Sequence, residues 1–191
     1  MILSKDGIIK AIEQGEIRIS RHDKPFNLKT QISANSIDLT LSKWMYEIPR
    51  YTAYVDALTG QFRKWSGGGI YTPKLIEIPK DGYTLLNGFL YLACTNEKIW
   101  SNTFVPECKD KSSLGRMFCP THFNAGLGDL GFDGYYTLEI APLIDIKVYA
   151  GMAICQIKFH KASDSGEPYK ESGRYMNNEP IPVLSKGVKL I

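Results

Sequence analysis

The sequence predicts a mainly β fold, a barrel or sandwich led by one short helix, on three observations. Short apolar runs alternate with a period of two rather than 3.6. Glycine and proline separate them at Pro79, Gly82, Pro106, Gly131, Gly134, Pro142 and Gly151. Helical spacing is confined to the beginning of the chain, where Ser4 precedes Ile8, Ile9 and Ile12 and Gly15 comes after them, the pattern of an N-capped amphipathic helix closed by glycine.

From there the period changes. Ile17 and Ile19 alternate with polar residues, and so do Ile37, Leu39 and Leu41 in S-I-D-L-T-L. Further strand-like runs cover 75–78, 83–94, 135–141, 144–149 and 152–160. Residues 50–74 break the rhythm: they are tyrosine-rich, carry a Thr59-Gly60 turn signal and end in W-S-G-G-G, so they read as a hairpin or surface insertion. The tail 163–191 is rich in Gly, Pro, Ser, Glu, Asn and Lys. It is expected either to be disordered or to order over a neighbouring subunit or ligand. No repeat is visible, and one domain over 1–191 is expected.

Composition limits the function. With 191 residues, 43% hydrophobic and 23% charged, the chain has ordinary globular character. Its formal charge of +3, from 23 basic and 20 acidic side chains, is too even for a protein that lives on nucleic-acid backbones. No apolar run is long enough to span a membrane and no signal-peptide pattern opens the chain, so a soluble, cytoplasmic protein is expected. Cys94, Cys108, Cys119 and Cys155 form no C-x-x-C pair, which suggests ordinary reduced thiols. His22, His122 and His160 show no zinc-ligand spacing, and a protein-built zinc site is not expected.

The densest chemistry lies between Lys109 and Ile140. Gly126, Gly128 and Gly131 spell G-x-G-x-x-G, but the next run along the chain, Y-Y-T-L-E-I, has a strand pattern instead of the helix that a dinucleotide fold requires. Lys111, Ser112, Ser113 and Arg116 offer two cations and two hydroxyls, donors suited to a phosphate chain, although such a stretch also serves as a cap or turn. In 135–140 the alternation places Tyr136, Leu138 and Ile140 on one face and Tyr135, Thr137 and Glu139 on the other. A lone strand glutamate is usually solvated, and Asp129 and Asp133 suit a glycine-rich turn.

Taken together, S-S-L-G-R, T-H-F-N-A-G-L-G-D-L-G-F-D-G and T-L-E resemble the dCTP deaminase branch of the trimeric dUTPase superfamily. The likeness extends to M-I-L-S-K-D-G-I-I, S-I-D-L-T-L and G-M-A-I-C-Q-I, leaving out 50–74. It implies a distorted, dUTPase-like β-barrel of the β-clip type, assembled as a homotrimer with active sites at subunit interfaces. It also implies zinc-free deamination of dCTP to dUTP, with Mg2+ carried on the triphosphate and dCTP and dUTP as ligands. Glu139 would be the general acid/base. Ser112 and Arg116 would support it and position the reacting group, while His122 and Ala125 would form the pocket wall and place the water. Asp129 would bind the 3′-hydroxyl and Phe132 would lie under the sugar. Lys111, Ser113, Phe123, Asn124 and Gln156 complete the implied binding set, with Tyr169, Arg174, Tyr175 and Asn178 from the tail.

Several positions depart from the family pattern. Lys111 replaces the usual arginine and so loses a bidentate fork. Asn124 replaces threonine, G-D-L stands at 128–130, and the tail G-R-Y-M-N-N lacks the usual closure. Ala125-Gly126 and Gln156 look more like the bifunctional enzymes, which release dUMP and diphosphate, or like dUTPases. T-L-E belongs to the deaminases. Both products therefore stand as alternatives to weigh, together with a catalytically silent nucleotide-binding regulator.

Overall fold

The computed structural model describes residues 1–123, 125–163, 168–169, 174–176 and 179–188. The opening helix, α1 (Lys5–Glu13), forms as its caps predict: Ser4 Oγ accepts the Gly7 N–H at 3.3 Å, and Ile8 and Ala11 are buried. Gly15 ends it in the left-handed region at φ +73°, where glycine has no Cβ penalty.

The chain continues through β1 (Ile17–Arg21), the single turn α2 (Leu28–Gln31) and β2 (Ile37–Pro49). Within 50–74 lies a hairpin, β3 (Ala53–Val55) paired with β4 (Phe62–Lys64). Next come β5 (Lys74–Glu77), β6 (Tyr83–Leu85), β7 (Phe89–Ser101), β8 (Phe104–Asp110) and the short turn α3 (Ser112–Gly115). β9 (Asp133–Ile140), β10 (Ile146–Val148) and β11 (Ala153–Lys161) complete the order.

The main sheet runs β1-β7-β2-β11-β8, with β5 branching from β2 and β9 from β7. The described strands form this branched sheet and two small two-stranded ones, without a closed ring of strands. The core is the inner face of that sheet. Ile37, Leu39, Leu41 and Met45 of β2 meet Ala93 and Ile99 of β7, Leu138 and Ile140 of β9, and Ile154, Ile157 and Phe159 of β11. All four cysteines are free and buried. Burial pushes the Cys94 thiol up to about 12 and Cys119 up to about 11, so neither is a ready nucleophile.

Two expectations are corrected. The run 83–94 is not one strand: Gly88, at φ +92°, turns the chain between β6 and β7. The segment around Pro106, read as punctuation, is β8. It lies at the end of the strand order, where a missing N–H leaves no ladder partner wanting.

A buried polar knot pins the sheet. Both β2–β7 and β7–β9 slip register around Thr95–Glu97. The fully buried Glu97 carboxylate there accepts from Arg21 Nη1 (3.1 Å), Gln31 Nε2 (2.9 Å), the Thr40 N–H (2.7 Å) and Thr40 Oγ1 (2.9 Å). With four donors, one of them the Arg21 cation, this buried charge is compensated. Among the described residues no helix is long and apolar enough to cross a membrane.

Candidate active site

β9 carries the central carboxylate. Its alternation buries Tyr136, Leu138 and Ile140, while Thr137 and Glu139 stand half-buried on the other face. Tyr135, predicted on that polar face, is nonetheless buried, with its ring edge-on to His22 at 6.1 Å. Glu139 is fixed at both ends. Its N–H donates to the Thr121 carbonyl at 2.9 Å, and its Oε2 accepts the Phe123 N–H at 3.3 Å. Thr121 is itself held by Asp110 Oδ1, which accepts its N–H at 2.9 Å and its hydroxyl in a short contact. His122 Nδ1 lies 3.3 Å from the same oxygen, within ion-pair reach but outside hydrogen-bond alignment. Asp110 thus orders the loop that holds Glu139.

Beside Glu139 opens a cavity of about 440 Å3. Its wall brings together Ala125, Asp129, Phe132, Thr137 and Glu139 with Tyr169 and Tyr175 of the tail. Leu92, Leu127, Tyr135, Tyr136, Val183 and Ser185 complete much of the lining. Phe132 is half-buried. Its ring meets Tyr136 edge-on at 5.3 Å and Tyr169 at 6.3 Å. The hydroxyl of Tyr136 is buried without a hydrogen-bond partner among the described residues, and burial drives this phenol well above its ordinary value. The glycines that mimic a dinucleotide fingerprint have a local cause. A Cβ at Gly126 would lie 2.3 Å from the Cys108 carbonyl oxygen, and one at Gly128 would lie 2.2 Å from the Tyr136 hydroxyl.

Of the remaining expected residues, the described ones do not line this cavity. Ser112, Ser113 and Arg116 are exposed on or beside α3, and among the described residues their side chains have no partner. Lys111 pairs with Asp38 at 2.5 Å. Gln156 bonds to Ser36 Oγ at 3.2 Å and to the Asp110 carbonyl at 3.3 Å. Arg174 bonds within the tail, its Nη2 donating to the Lys186 carbonyl at 2.7 Å. Asn124 and Asn178 lie outside the described residues.

Sequence reasoning passed over Asp110, Thr121, Val183 and Ser185. Asp110 and Thr121 flank the S-S-L-G-R and T-H-F motifs, which was the available signal. Val183 and Ser185 reach the cavity only through the course of the tail.

The sequence profile of the dCTP deaminase-like family matches residues 2–162. The chain belongs to this family. A Clostridium acetobutylicum relative named "dCTP deaminase, dUMP-forming" is 39% identical over 158 residues, covering 83% of each chain. A Clostridium beijerinckii protein of the same name is 45% identical over 108 residues, which is 56% of this chain and 62% of that relative. A Cytophaga hutchinsonii protein, again so named, is 44% identical over 110 residues, 58% of this chain and 63% of its own length. The matched region therefore spans under two thirds of the Clostridium beijerinckii and Cytophaga hutchinsonii relatives. The fold also matches the crystal structure of 2′-deoxycytidine 5′-triphosphate deaminase from Agrobacterium tumefaciens. The TM-score is 0.62 at 21% identity, covering 84% of this chain and 48% of that one.

Proposed function

We propose that this protein hydrolyses dCTP at C4 and releases dUMP and diphosphate. The observation that carries the reading is the Glu139 carboxylate, held by the Phe123 N–H in the wall of a nucleotide-sized cavity. Glu139 takes a proton from water as the oxygen bonds to C4. It passes that proton to the ring nitrogen, then moves the remaining proton of the C4 hydroxyl to the amino group, so that the C4–N bond breaks, the C4 carbonyl forms and ammonia leaves. A second water splits the α–β phosphoanhydride to give dUMP and diphosphate. The relatives' shared name favours this product over dUTP, the outcome placed first from sequence. Asp129 suits the 3′-hydroxyl and Phe132 the sugar face, both on the same wall as Glu139.

The proton work falls to Glu139 without zinc. Mg2+ fits as the companion of the phosphates, because the donors expected to meet them, Lys111, Ser112, Ser113 and Arg116, are cationic or hydroxyl groups. The ion would be held by phosphate oxygens and water, and would offset phosphate charge.

A homotrimer is part of the same proposal. Ser112 and Arg116 do not line the Glu139 cavity of their own chain. Near it Met117, Phe118, Phe123, Leu127, Leu143 and Ile144 are all exposed, with the Leu143 N–H bonded to the Phe118 carbonyl at 2.9 Å. An apolar surface of this kind suits a second copy of the chain, which would supply the phosphate donors. Light scattering at assay concentration tests this, and an active monomer would refute it. For the reaction, dCTP is incubated with Mg2+ and dUTP, dUMP and diphosphate are separated. Formation of dUTP alone would refute the dUMP reading, and no turnover would refute both.

A further inference from the structure

The 50–74 insertion stands outside the motifs that carry the family resemblance, and the pairing of its two strands stays within it: they pair with each other, and Arg63 also bridges Ile70. Its tip is nevertheless tightly built. Asp56 Oδ1 accepts the N–H groups of Leu58 and Thr59, each at 3.0 Å, and the Asp56 carbonyl accepts the Gly60 N–H at 2.8 Å.

The C-terminal segment lies directly on this tip. The Val188 N–H donates to the Ala57 carbonyl at 2.7 Å. Gly60 has φ +71°, and a Cβ there would lie 2.2 Å from the Ser185 carbonyl oxygen. Gly187 has φ +76°, and its Cβ would lie 2.0 Å from the Leu58 carbonyl oxygen. The two backbones meet across two glycines, at a separation that no other residue pair permits.

The same segment is tied to the sheet further back. Ser42 Oγ donates to the Pro180 carbonyl at 2.8 Å, and the Val183 N–H donates to Thr137 Oγ1 at 3.1 Å. Between these attachments and the tip, Val183 and Ser185 line the cavity that holds Glu139. Lys186 adds a brace: its N–H donates to the Tyr175 hydroxyl at 3.2 Å, and its Nζ to the Arg174 carbonyl at 2.5 Å. Tyr175 lines the cavity too. The strap is thus anchored at both ends and forms a wall of the site in its middle.

We propose that the hairpin tip Asp56–Gly60 is the docking point that holds strap 180–188 across the cavity, so that the insertion sets how firmly nucleotide is enclosed. This rests on the reading of the cavity as the dCTP site. Gly60 acts through the strap as a positioning residue, without touching the nucleotide.

Gly67 provides the control. It belongs to the same insertion and has φ +78°, but a Cβ there would meet nothing within 4 Å. Gly60→Ala and Gly67→Ala therefore carry the same backbone strain, and only the first meets the strap. The full chain of each is compared with wild type by hydrogen–deuterium exchange over 180–188, by melting temperature, and by KM and kcat for dCTP with Mg2+. Gly60→Ala should speed strap exchange at least ~10-fold and raise KM ~3–10-fold with kcat within ~2-fold, whereas Gly67→Ala does neither. Gly187→Ala strikes the same contact from the strap side and should repeat the result if Gly60→Ala folds poorly. Unchanged exchange in both contact variants, or equal effects in the control, would overturn the dock. Faster exchange with unchanged KM would overturn its role in enclosing substrate. A wild-type protein that fails to turn over dCTP would refute the proposed activity, and the exchange comparison would still decide the dock.

Discussion

Replacing Phe132 by alanine separates a sugar platform from a simple core residue. Loss of a fully buried phenylalanine costs ~3–5 kcal/mol. Phe132 is only half-buried and borders a cavity that is already open, so its removal enlarges that cavity and leaves no sealed void. Its ring contacts with Tyr136 and Tyr169, each worth ~0.5–1.5 kcal/mol, make up much of what is lost. The expected destabilisation is about 2 kcal/mol, a fall in Tm of roughly 4–8 °C for a chain of this size. The effect on discrimination should be larger. A ribose 2′-hydroxyl pressed on the ring would be desolvated with no partner, at about 1–3 kcal/mol, which is roughly 5- to 150-fold in relative kcat/KM. Without the ring that penalty vanishes and the preference for dCTP over CTP should narrow by that factor. The assay is kcat/KM for both nucleotides, with a melting curve. An unchanged dCTP:CTP ratio in a variant that has lost stability would refute the reasoning and leave Phe132 as a packing residue.

The same geometry sets other outcomes. Glu139→Gln keeps the shape but removes the base, so turnover should drop at least ~100-fold while calorimetry still detects nucleotide binding. Asp110→Asn weakens the hold on Thr121, whose carbonyl receives the Glu139 N–H; kcat should fall with KM little changed, and Thr121→Val should fall in the same direction. Hydrogen bonding from Lys109, reinforced by Lys158 and His160, lowers the Glu107 carboxyl to about 2. A carboxyl lowered on folding stabilises the protein above its unfolded value of ~4.5, and that contribution is lost as pH falls towards 2. The stability gap between wild type and Glu107→Gln, read from melting curves, should therefore be greatest above about pH 5 and close near pH 2, remaining within ~1 kcal/mol because the cluster is solvent-screened.

The alternation of Ile17 and Ile19 and the runs at 37–41, 75–78 and 135–141 were legible to within a few residues of the strands that form, because one face of each strand is buried, which imposes the period of two on the sequence. The capped opening helix and the 50–74 hairpin were legible from local chemistry alone. β8 was not, since Pro106 is tolerated there by a position in the sheet that no local pattern encodes. The knot around Glu97 was equally hidden, because its donors Arg21, Gln31 and Thr40 come from three distant segments. At the site, Glu139, Asp129 and Phe132 were picked out by motif and do share one cavity. The contribution of Val183 and Ser185 escaped, since a polar tail without periodicity does not announce where it will lie.

The place of β11 in the sheet governs how this chain can fold. This strand lies between β2 and β8, pairing Gln156 with Asp38 on one side and with Lys109 on the other. Until residues 153–161 leave the ribosome, β2 and β8 each keep an open edge towards the gap. Even the first residues wait for it, since Leu3 donates to Phe159 and Lys161 donates to Met1. Such distant pairing makes for slow folding, and nascent or truncated chains ending before β11 should expose strand edges prone to aggregation. Chaperone dependence during synthesis should therefore fall sharply once β11 is available.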